Sequence, residues 1–108
     1  MYEYRAKIIS VYDGDTMTAI VDLGFYVKVE LKLRLMGIDT PEIRGEERPE
    51  GLVVRDYVRE MVLDKDVIIK TYKDKQEKYG RWLAEIFLEG QNLNAHLLEK
   101  GMAKPYMV

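Results

Sequence analysis

The chain has 108 residues, of which 47% are hydrophobic and 33% charged, and its formal net charge is −2. This balance excludes a disordered tail, and no apolar run approaches the ~18 residues of a membrane span. We therefore expect one monomeric globular domain over residues 1–108, without membrane association. The opening residues lack the apolar stretch of a secretory signal, so a cytoplasmic protein and a processed secreted form are both open.

The composition also restricts the chemistry. Cysteine is absent, His96 is the only histidine and Ser10 the only serine. A Ser-His-Asp triad and the usual zinc sites are therefore disfavoured. What remains is chemistry by carboxylates, Arg, Lys and Tyr, with a hard cation that prefers oxygen ligands.

The first elements are predicted to form a β-hairpin. β-Branched and apolar residues fill Ala6–Tyr12 and Thr16–Leu23, and the two runs are separated by the turn signal Asp13-Gly14-Asp15. The next run, Val27–Leu35, alternates strictly, which predicts a third strand with a dry face and a charged face. The dry face carries Val27, Val29, Leu31, Leu33 and Leu35, and the charged face carries Lys28, Glu30, Lys32 and Arg34.

The second half of the chain adds two helices and two strands. Apolar residues at helical spacing predict a helix over Pro49–Leu63, and Val67–Tyr72 and Trp82–Leu88 are predicted strands. Asn92 is a predicted N-cap for a second helix, which Gly101 ends. We expect His96 on the surface of that helix and Trp82 in the core.

This order of elements predicts an α+β fold that is mainly β. Five short strands, with one helix between strands 3 and 4 and another after strand 5, fit a closed barrel of the OB type. An open α+β sheet is the alternative architecture.

Three short motifs stand out, namely Asp13–Thr16, Arg34–Glu42 and Lys78–Arg81. Taken singly, each has an ordinary explanation as a turn, a strand exit or a surface arginine. Together, in this order and spacing, they resemble the staphylococcal nuclease family, and the resemblance extends over nearly the whole chain, including Gly101-Met102-Ala103. The loop between Glu42 and the first helix is shorter than in the best-known member.

The resemblance implies one calcium ion. Two carboxylates brought together at strand ends repel each other unless a cation lies between them. By the resemblance, Asp15, Asp39 and the backbone carbonyl of Thr40 would bind this ion, and Glu42 would be the general base that takes a proton from the attacking water.

The same resemblance assigns the substrate contacts. Arg34 and Arg81 would bind the scissile phosphate, because guanidinium groups bind phosphate oxygens in a bidentate manner. Lys78, Tyr79 and Tyr106 would lie near the bound nucleotide, where an aromatic ring can stack on it.

We therefore expect a calcium-dependent phosphodiesterase that cleaves DNA, RNA or both. A non-catalytic OB-type module that binds nucleic acid is the alternative, since the acidic net charge is unusual for a nucleic-acid-binding protein. A purely structural domain would require all three motifs to be accidental.

Overall fold

The computed structural model describes residues 2–76 and 80–106. A short 3₁₀ turn at Gly45–Glu47 precedes the first helix. The strands and helices are, in chain order, β1 (Tyr2–Asp13), β2 (Thr16–Asp22), β3 (Lys28–Leu35), β4 (Ile38–Asp39), α1 (Arg48–Val62), β5 (Asp66–Gln76), β6 (Trp82–Leu88), β7 (Gln91–Asn92), α2 (Leu93–Glu99) and β8 (Lys104–Pro105).

Five of these strands close into a barrel. They follow the order β3-β2-β1-β5-β6 with antiparallel neighbours, and a parallel pairing of β3 with β6 closes the ring. The closing contact is short, from Leu33↔Trp82 to Leu35↔Ala84. This confirms the predicted five-stranded barrel of the OB type with two helices, and it excludes the open sheet.

The core fills the barrel and the space beneath the two helices. Its largest fully buried side chains come mainly from the strands and include Ile8, Met17, Leu33, Ile69 and Ile86. Helix α1 contributes the buried residues Val54, Val58 and Val62, and α2 contributes Leu93 and Leu97. Among the described residues, no helix is long and apolar enough to cross a membrane.

The dry face predicted for the third strand is wrong only at its first position, Val27, which is 52% exposed. Val29 and Leu31 are half-buried and pack against the core, and Leu33 and Leu35 are buried. Burial increases along the strand because β6 pairs with β3 only from Leu33 onward. The earlier residues of β3 pair with β2.

Helix α2 follows its sequence signals closely. The Asn92 side chain accepts a hydrogen bond from the backbone N–H of Ala95 (3.1 Å), and Gly101 follows the helix with a φ of 71°. His96 is half-buried rather than free on the surface, because its ring stacks on Tyr57 at a centroid distance of 5.9 Å. Trp82 is half-buried and packs against the core, in line with its predicted place.

Candidate active-site cleft

A cleft of about 1040 Å³ opens at the end of the barrel where the β1–β2 turn, the β3–β4 connection and the start of β6 meet. Six of the residues predicted for the site or its substrate contacts line it, namely Asp15, Arg34, Asp39, Glu42, Arg81 and Tyr106. Thr40 is buried beside them and donates its backbone N–H to Asp15. Lys78 and Tyr79 lie outside the described residues.

The turn at one wall of the cleft is held by the side chain of Asp13. Its Oδ1 accepts the backbone N–H of Asp15 at 3.1 Å, which is the local bond expected of an Asp in a tight turn. Gly14 is required for a different reason. A Cβ at that position would lie 2.6 Å from Val54 and 2.8 Å from the Thr40 hydroxyl, so only glycine lets the turn pack against α1 and the β4 exit.

Asp15 links the three parts of the cleft. The residue is 6% exposed, and its Oδ2 accepts hydrogen bonds from Nη1 of Arg34 (3.0 Å) and from the backbone N–H of Thr40 (3.0 Å). A buried carboxylate needs such partners because its burial would otherwise cost several kcal/mol. The position of Asp15 is therefore fixed by charge pairing as well as by the turn.

Arg34 lies at the end of the charged face of β3 but is only 9% exposed. Its Nη1 contacts Asp15 and donates to the carbonyls of Leu35 (3.1 Å) and Ile38 (2.9 Å), while Nη2 lies 3.4 Å from Asp39 Oδ1. The guanidinium thus bridges the two aspartates. Among the described residues no acceptor contacts its Nε, which leaves a donor for an oxyanion.

Tyr106 is brought to the cleft by a strand pairing between two segments that are far apart in sequence. Strand β8 pairs with β4, and the backbone N–H of Tyr106 donates to the carbonyl of Gly37 at 3.0 Å. This places the Tyr106 ring 5.4 Å from the Arg34 guanidinium carbon, a cation–π arrangement.

Glu42 is exposed, and its carboxylate makes no hydrogen bond or ion pair with any described residue. Its backbone is held much more firmly. Helix α1 passes so close that a Cβ at Gly51 would overlap the carbonyl oxygen of Glu42. The arrangement therefore combines a fixed main chain with a carboxylate that is free to accept a proton.

Arg81 enters the cleft from the start of β6. Its Nη1 donates to the hydroxyl of Thr16 at 2.9 Å, and it has further contacts besides. Thr16 is the cross-strand partner of Arg34 in the β2–β3 register. The two arginines consequently approach the cleft from adjacent strands.

Asp13 is the ionisable group that sequence reasoning missed, since it was interpreted only as a turn residue. Burial, the hydrogen bond with Asp15 and the charges of Asp15 and Glu42 together raise the pKa of Asp13 to about 7. The negative charge of this turn is thus only partly balanced by the protein itself.

Sequence reasoning also missed a hydrogen-bonded pair, Arg44 and Tyr12. Nη2 of Arg44 donates to the Tyr12 hydroxyl at 2.9 Å, and both residues line the cleft. The available signal was their place in sequence, because Tyr12 precedes the Asp13 turn and Arg44 follows Glu42 by two positions.

The chemistry of the cleft suits a hard cation. The acidic lining offers only oxygen donors, the buried hydroxyl of Thr40 has no hydrogen-bond partner among the described residues, and burial beside Asp15 raises the pKa of Asp13. Within residues 2–76 and 80–106, however, no three acidic or histidine side chains are gathered closely enough to form a metal-binding cluster. Asp15 and Asp39 are instead bridged by Arg34.

The fold and the cleft together define a class: an OB-type barrel whose acidic residues and two arginines converge on one open site. The chain belongs to the staphylococcal nuclease homologue family, whose model matches residues 32–108. This confirms the predicted family, and the matched range includes the motifs Arg34–Glu42 and Lys78–Arg81.

Individual relatives are similar over most of the chain. A thermonuclease of Staphylococcus hyicus is 31% identical over 94% of this chain, an uncharacterized protein of Methanocaldococcus jannaschii is 33% identical over 96%, and an uncharacterized endonuclease of Haemophilus influenzae is 28% identical over 93%. The aligned parts cover 59%, 60% and 51% of those proteins, respectively. The chain thus spans little more than half the length of these curated relatives.

Proposed function

We propose that this chain is a nuclease that hydrolyses phosphodiester bonds of DNA, RNA or both. The observation that carries the proposal is the convergence of Glu42, Arg34 and Arg81 on one cleft. Two relatives named as nucleases, the thermonuclease of Staphylococcus hyicus and the uncharacterized endonuclease of Haemophilus influenzae, support the same activity class.

The two arginines would stabilise the transition state. Attack on a phosphodiester adds negative charge to the phosphoryl oxygens, and positioned guanidinium donors offset that charge most effectively in a site already partly shielded from water. Arg34 suits this role because its contacts with Asp15, Asp39 and two carbonyls hold the group in place before substrate binds. Arg81 would complete the clamp from β6.

Glu42 would act as the general base. Its carboxylate makes no bond with a described residue, so it is available to take a proton from a water molecule as that water attacks phosphorus and the P–O bond to the leaving group breaks. Such a base contributes about 10²- to 10⁴-fold to the rate. The remaining acceleration must come from electrostatic stabilisation of the phosphoryl group.

We further propose that one calcium ion binds at Asp15, Asp39 and the backbone carbonyl of Thr40. When bound, the ion would neutralise charge on the phosphate as a Lewis acid. Arg34 would then share Asp15 and Asp39 with the ion. Tyr106, with Lys78 and Tyr79, would flank the bound nucleotide.

A binding module without catalysis is the second candidate. The specific observation in its favour is that Arg34 already pairs with both predicted metal ligands, at 3.0 Å to Asp15 and 3.4 Å to Asp39. In this reading Arg34 takes the place of a cation between the two aspartates, and Arg81 would contact the phosphate group.

Incubation with single-stranded DNA separates the two candidates. The nuclease proposal predicts cleavage in the presence of calcium that stops when a chelator is added. Oligonucleotide binding without any cleavage, by protein whose circular dichroism shows that it is folded, would instead establish the binding module.

A further inference from the structure

The turn between β2 and β3 exposes an unusual amount of apolar surface. This segment, Leu23–Val27, is called the hairpin tip below. Phe25 is 97% and Tyr26 103% exposed, and Leu23 and Val27 are each about half exposed at 46% and 52%. Adjacent large apolar side chains this open to water usually mark a binding surface.

The backbone of the hairpin tip holds both rings away from the protein. Phe25 has a φ of 54° and Tyr26 a φ of 62°, a left-handed conformation that is rare and costly for aromatic residues. Hydrogen bonds fix the turn, from the Leu23 N–H to the Val27 carbonyl (2.8 Å) and from the Gly24 N–H to Asp22 (2.8 Å). A strained turn that displays two rings is a feature expected of a ligand contact rather than of a simple connection.

A basic surface leads from the hairpin tip to the cleft. We call it the basic face, and it consists of the exposed outward residues Arg5, Lys7, Lys28 and Lys32 on β1 and β3. None of the four forms an ion pair within 4.0 Å with another described residue. Acidic side chains are interleaved with them, Asp22 and Glu30 on the paired strands and Asp66 and Glu89 beside Lys7 and Lys28, so the basic groups are distinguished by their lack of ion pairs and not by an excess of charge.

The basic face is continuous with the catalytic cleft. Lys32 lines that cleft together with Ser10 and Thr18, whereas Lys7 and Lys28 line an adjoining concavity of about 670 Å³. The strand register joins the two, because Lys32 pairs across with Thr18 and Lys7 with Ile20, two residues further along β2. A ligand can therefore cross from one concavity to the other without leaving the sheet.

We propose that the basic face and the hairpin tip bind a single strand of nucleic acid that extends from the cleft. Phosphates would contact the basic face, and two bases would stack on Phe25 and Tyr26. This inference rests on the proposed function. Continuity with the cleft, and four basic side chains that form no ion pair with a described residue, favour nucleic acid over a lipid surface or a second copy of the chain.

The distance involved gives the proposal a measurable length. From Thr16 at the cleft to Asp22 before the hairpin tip, β2 rises six residues, or about 20 Å. A dinucleotide bound at the cleft is too short to reach the tip, whereas a strand of eight or more nucleotides can reach it. The affinity advantage of long over short strands should therefore depend on the two rings.

The test measures binding of fluorescein-labelled single-stranded DNA of about 2, 8 and 16 nucleotides, of which the longer two lie within the usual site sizes of OB folds. A chelator prevents calcium-dependent turnover, and low salt preserves phosphate contacts. The double variant Phe25→Asn, Tyr26→Asn removes both rings, and asparagine tolerates the left-handed backbone. The matched control Phe25→Tyr, Tyr26→Phe retains two rings, and thermal unfolding verifies that both variants are folded.

We expect the asparagine variant to bind the longest strand about 5- to 150-fold more weakly for each base that stacks, while its affinity for the shortest strand stays unchanged. The ring-swapped control should bind all lengths like the original protein. Equal loss at every length, or no loss at any, would overturn the proposal. So would ring-dependent binding to phosphatidylcholine–phosphatidylserine vesicles, or ring-dependent dimerisation, with DNA affinity unaffected.

A second variant tests the basic face alone. Lys7→Gln, Lys28→Gln should reduce the slope of log affinity against log salt by about 1.4 for the longest strand, as expected for two lost phosphate contacts. The exposed pair Lys65→Gln, Lys100→Gln is the control and should leave the slope unchanged. An unchanged slope in the first variant would contradict the path across the sheet.

The binding measurements and the cleavage assay distinguish the two proposals. Length-dependent binding that requires the two rings, combined with no cleavage, would refute the nuclease and would retain the basic face and hairpin tip as the surface of a binding module. Calcium-dependent cleavage by a protein with no ring-dependent binding would refute strand binding at the hairpin tip and would retain the nuclease.

Discussion

The two ends of the β2–β3 pair reverse the usual distribution of side chains. At the cleft end, Arg34 is 9% exposed and pairs with two aspartates. At the other end, Phe25 and Tyr26 are almost entirely open to water. Globular proteins generally bury aromatic rings and expose charges, so the inversion at both ends indicates surfaces shaped by ligand binding rather than by stability alone.

The two ends should also differ in what they contribute to folding. Arg34 compensates charge that the fold has already buried, whereas the rings at the hairpin tip bury almost nothing. Changes at the cleft end should therefore alter the free energy of unfolding, and changes at the tip should alter it little.

Arg34→Ala gives the largest expected effect on stability. It leaves Asp15 buried without its ion-pair partner, which typically costs about 3–5 kcal/mol in the free energy of unfolding. Urea unfolding followed by circular dichroism measures this loss. Arg55→Ala is the control, because the ion pair of Arg55 with Asp56 is at the surface. A loss below about 1 kcal/mol for Arg34→Ala would show that the ion pair with Asp15 does not make the cleft end more important for stability than the surface pair.

Gly51→Ala tests whether α1 positions Glu42. Replacing glycine by alanine within a helix normally stabilises it by roughly 1 kcal/mol, but here the new Cβ would overlap the Glu42 carbonyl. We expect a loss of about 1–3 kcal/mol, which is the usual cost of overpacking. Val53→Ala, at an exposed position of the same helix, is the matched control. Stabilisation by Gly51→Ala would contradict the close approach of the two segments.

Asp13→Asn tests the charge at the cleft end through pH. Because the pKa of Asp13 is raised from 3.8 to about 7, the folded protein binds a proton more tightly than the unfolded chain does. The contribution of protonated Asp13 to the free energy of unfolding is fully present below pH 3.8 and is lost as the pH rises to about 7.

The asparagine variant cannot titrate and should keep that stability. In the presence of a chelator we expect it to exceed the original protein by on the order of 1 kcal/mol or more at pH 8, and to show no advantage at pH 4. Denaturant unfolding at the two pH values measures the difference. A pH-independent difference would show that Asp13 carries no raised pKa.

Phe25→Gly gives the smallest expected effect. Glycine adopts the left-handed conformation without strain, and the ring that it removes is not buried. We expect a change between zero and a gain of about 1 kcal/mol. Thermal unfolding detects it. A clear loss of stability would mean that Phe25 packs against the protein and would weaken the contrast between the two ends.

The sequence predicted the barrel well because its strands and turns carry strong local signals. The Asp13–Asp15 turn, the Asn92 cap and the Gly101 helix end each follow from the chemistry of one or a few residues, and all three are observed. The exposure of Val27 could not be predicted, because the alternation of Val27–Leu35 does not reveal how far a neighbouring strand extends.

The site could be predicted only in part. Asp15, Asp39 and Glu42 were inferred from their residue types and motifs, and the structure brings them to one cleft with Arg34, Arg81 and Tyr106. The bridge from Arg34 to both aspartates depends on the burial of Arg34. The alternation of the strand does not predict this burial, because it places Arg34 on the charged face. Likewise, the reach of Tyr106 into the cleft depends on the β4–β8 pairing, between segments far apart in sequence.

Glu42 is proposed to activate water in a cleft that binds a phosphodiester. The rate of single-stranded DNA cleavage in calcium, measured for the original protein and for Glu42→Gln together with the oligonucleotide affinity of both, tests this assignment directly. We predict that the rate falls by about 10²- to 10⁴-fold while affinity stays within about twofold. Cleavage by Glu42→Gln at the rate of the original protein would contradict the assignment.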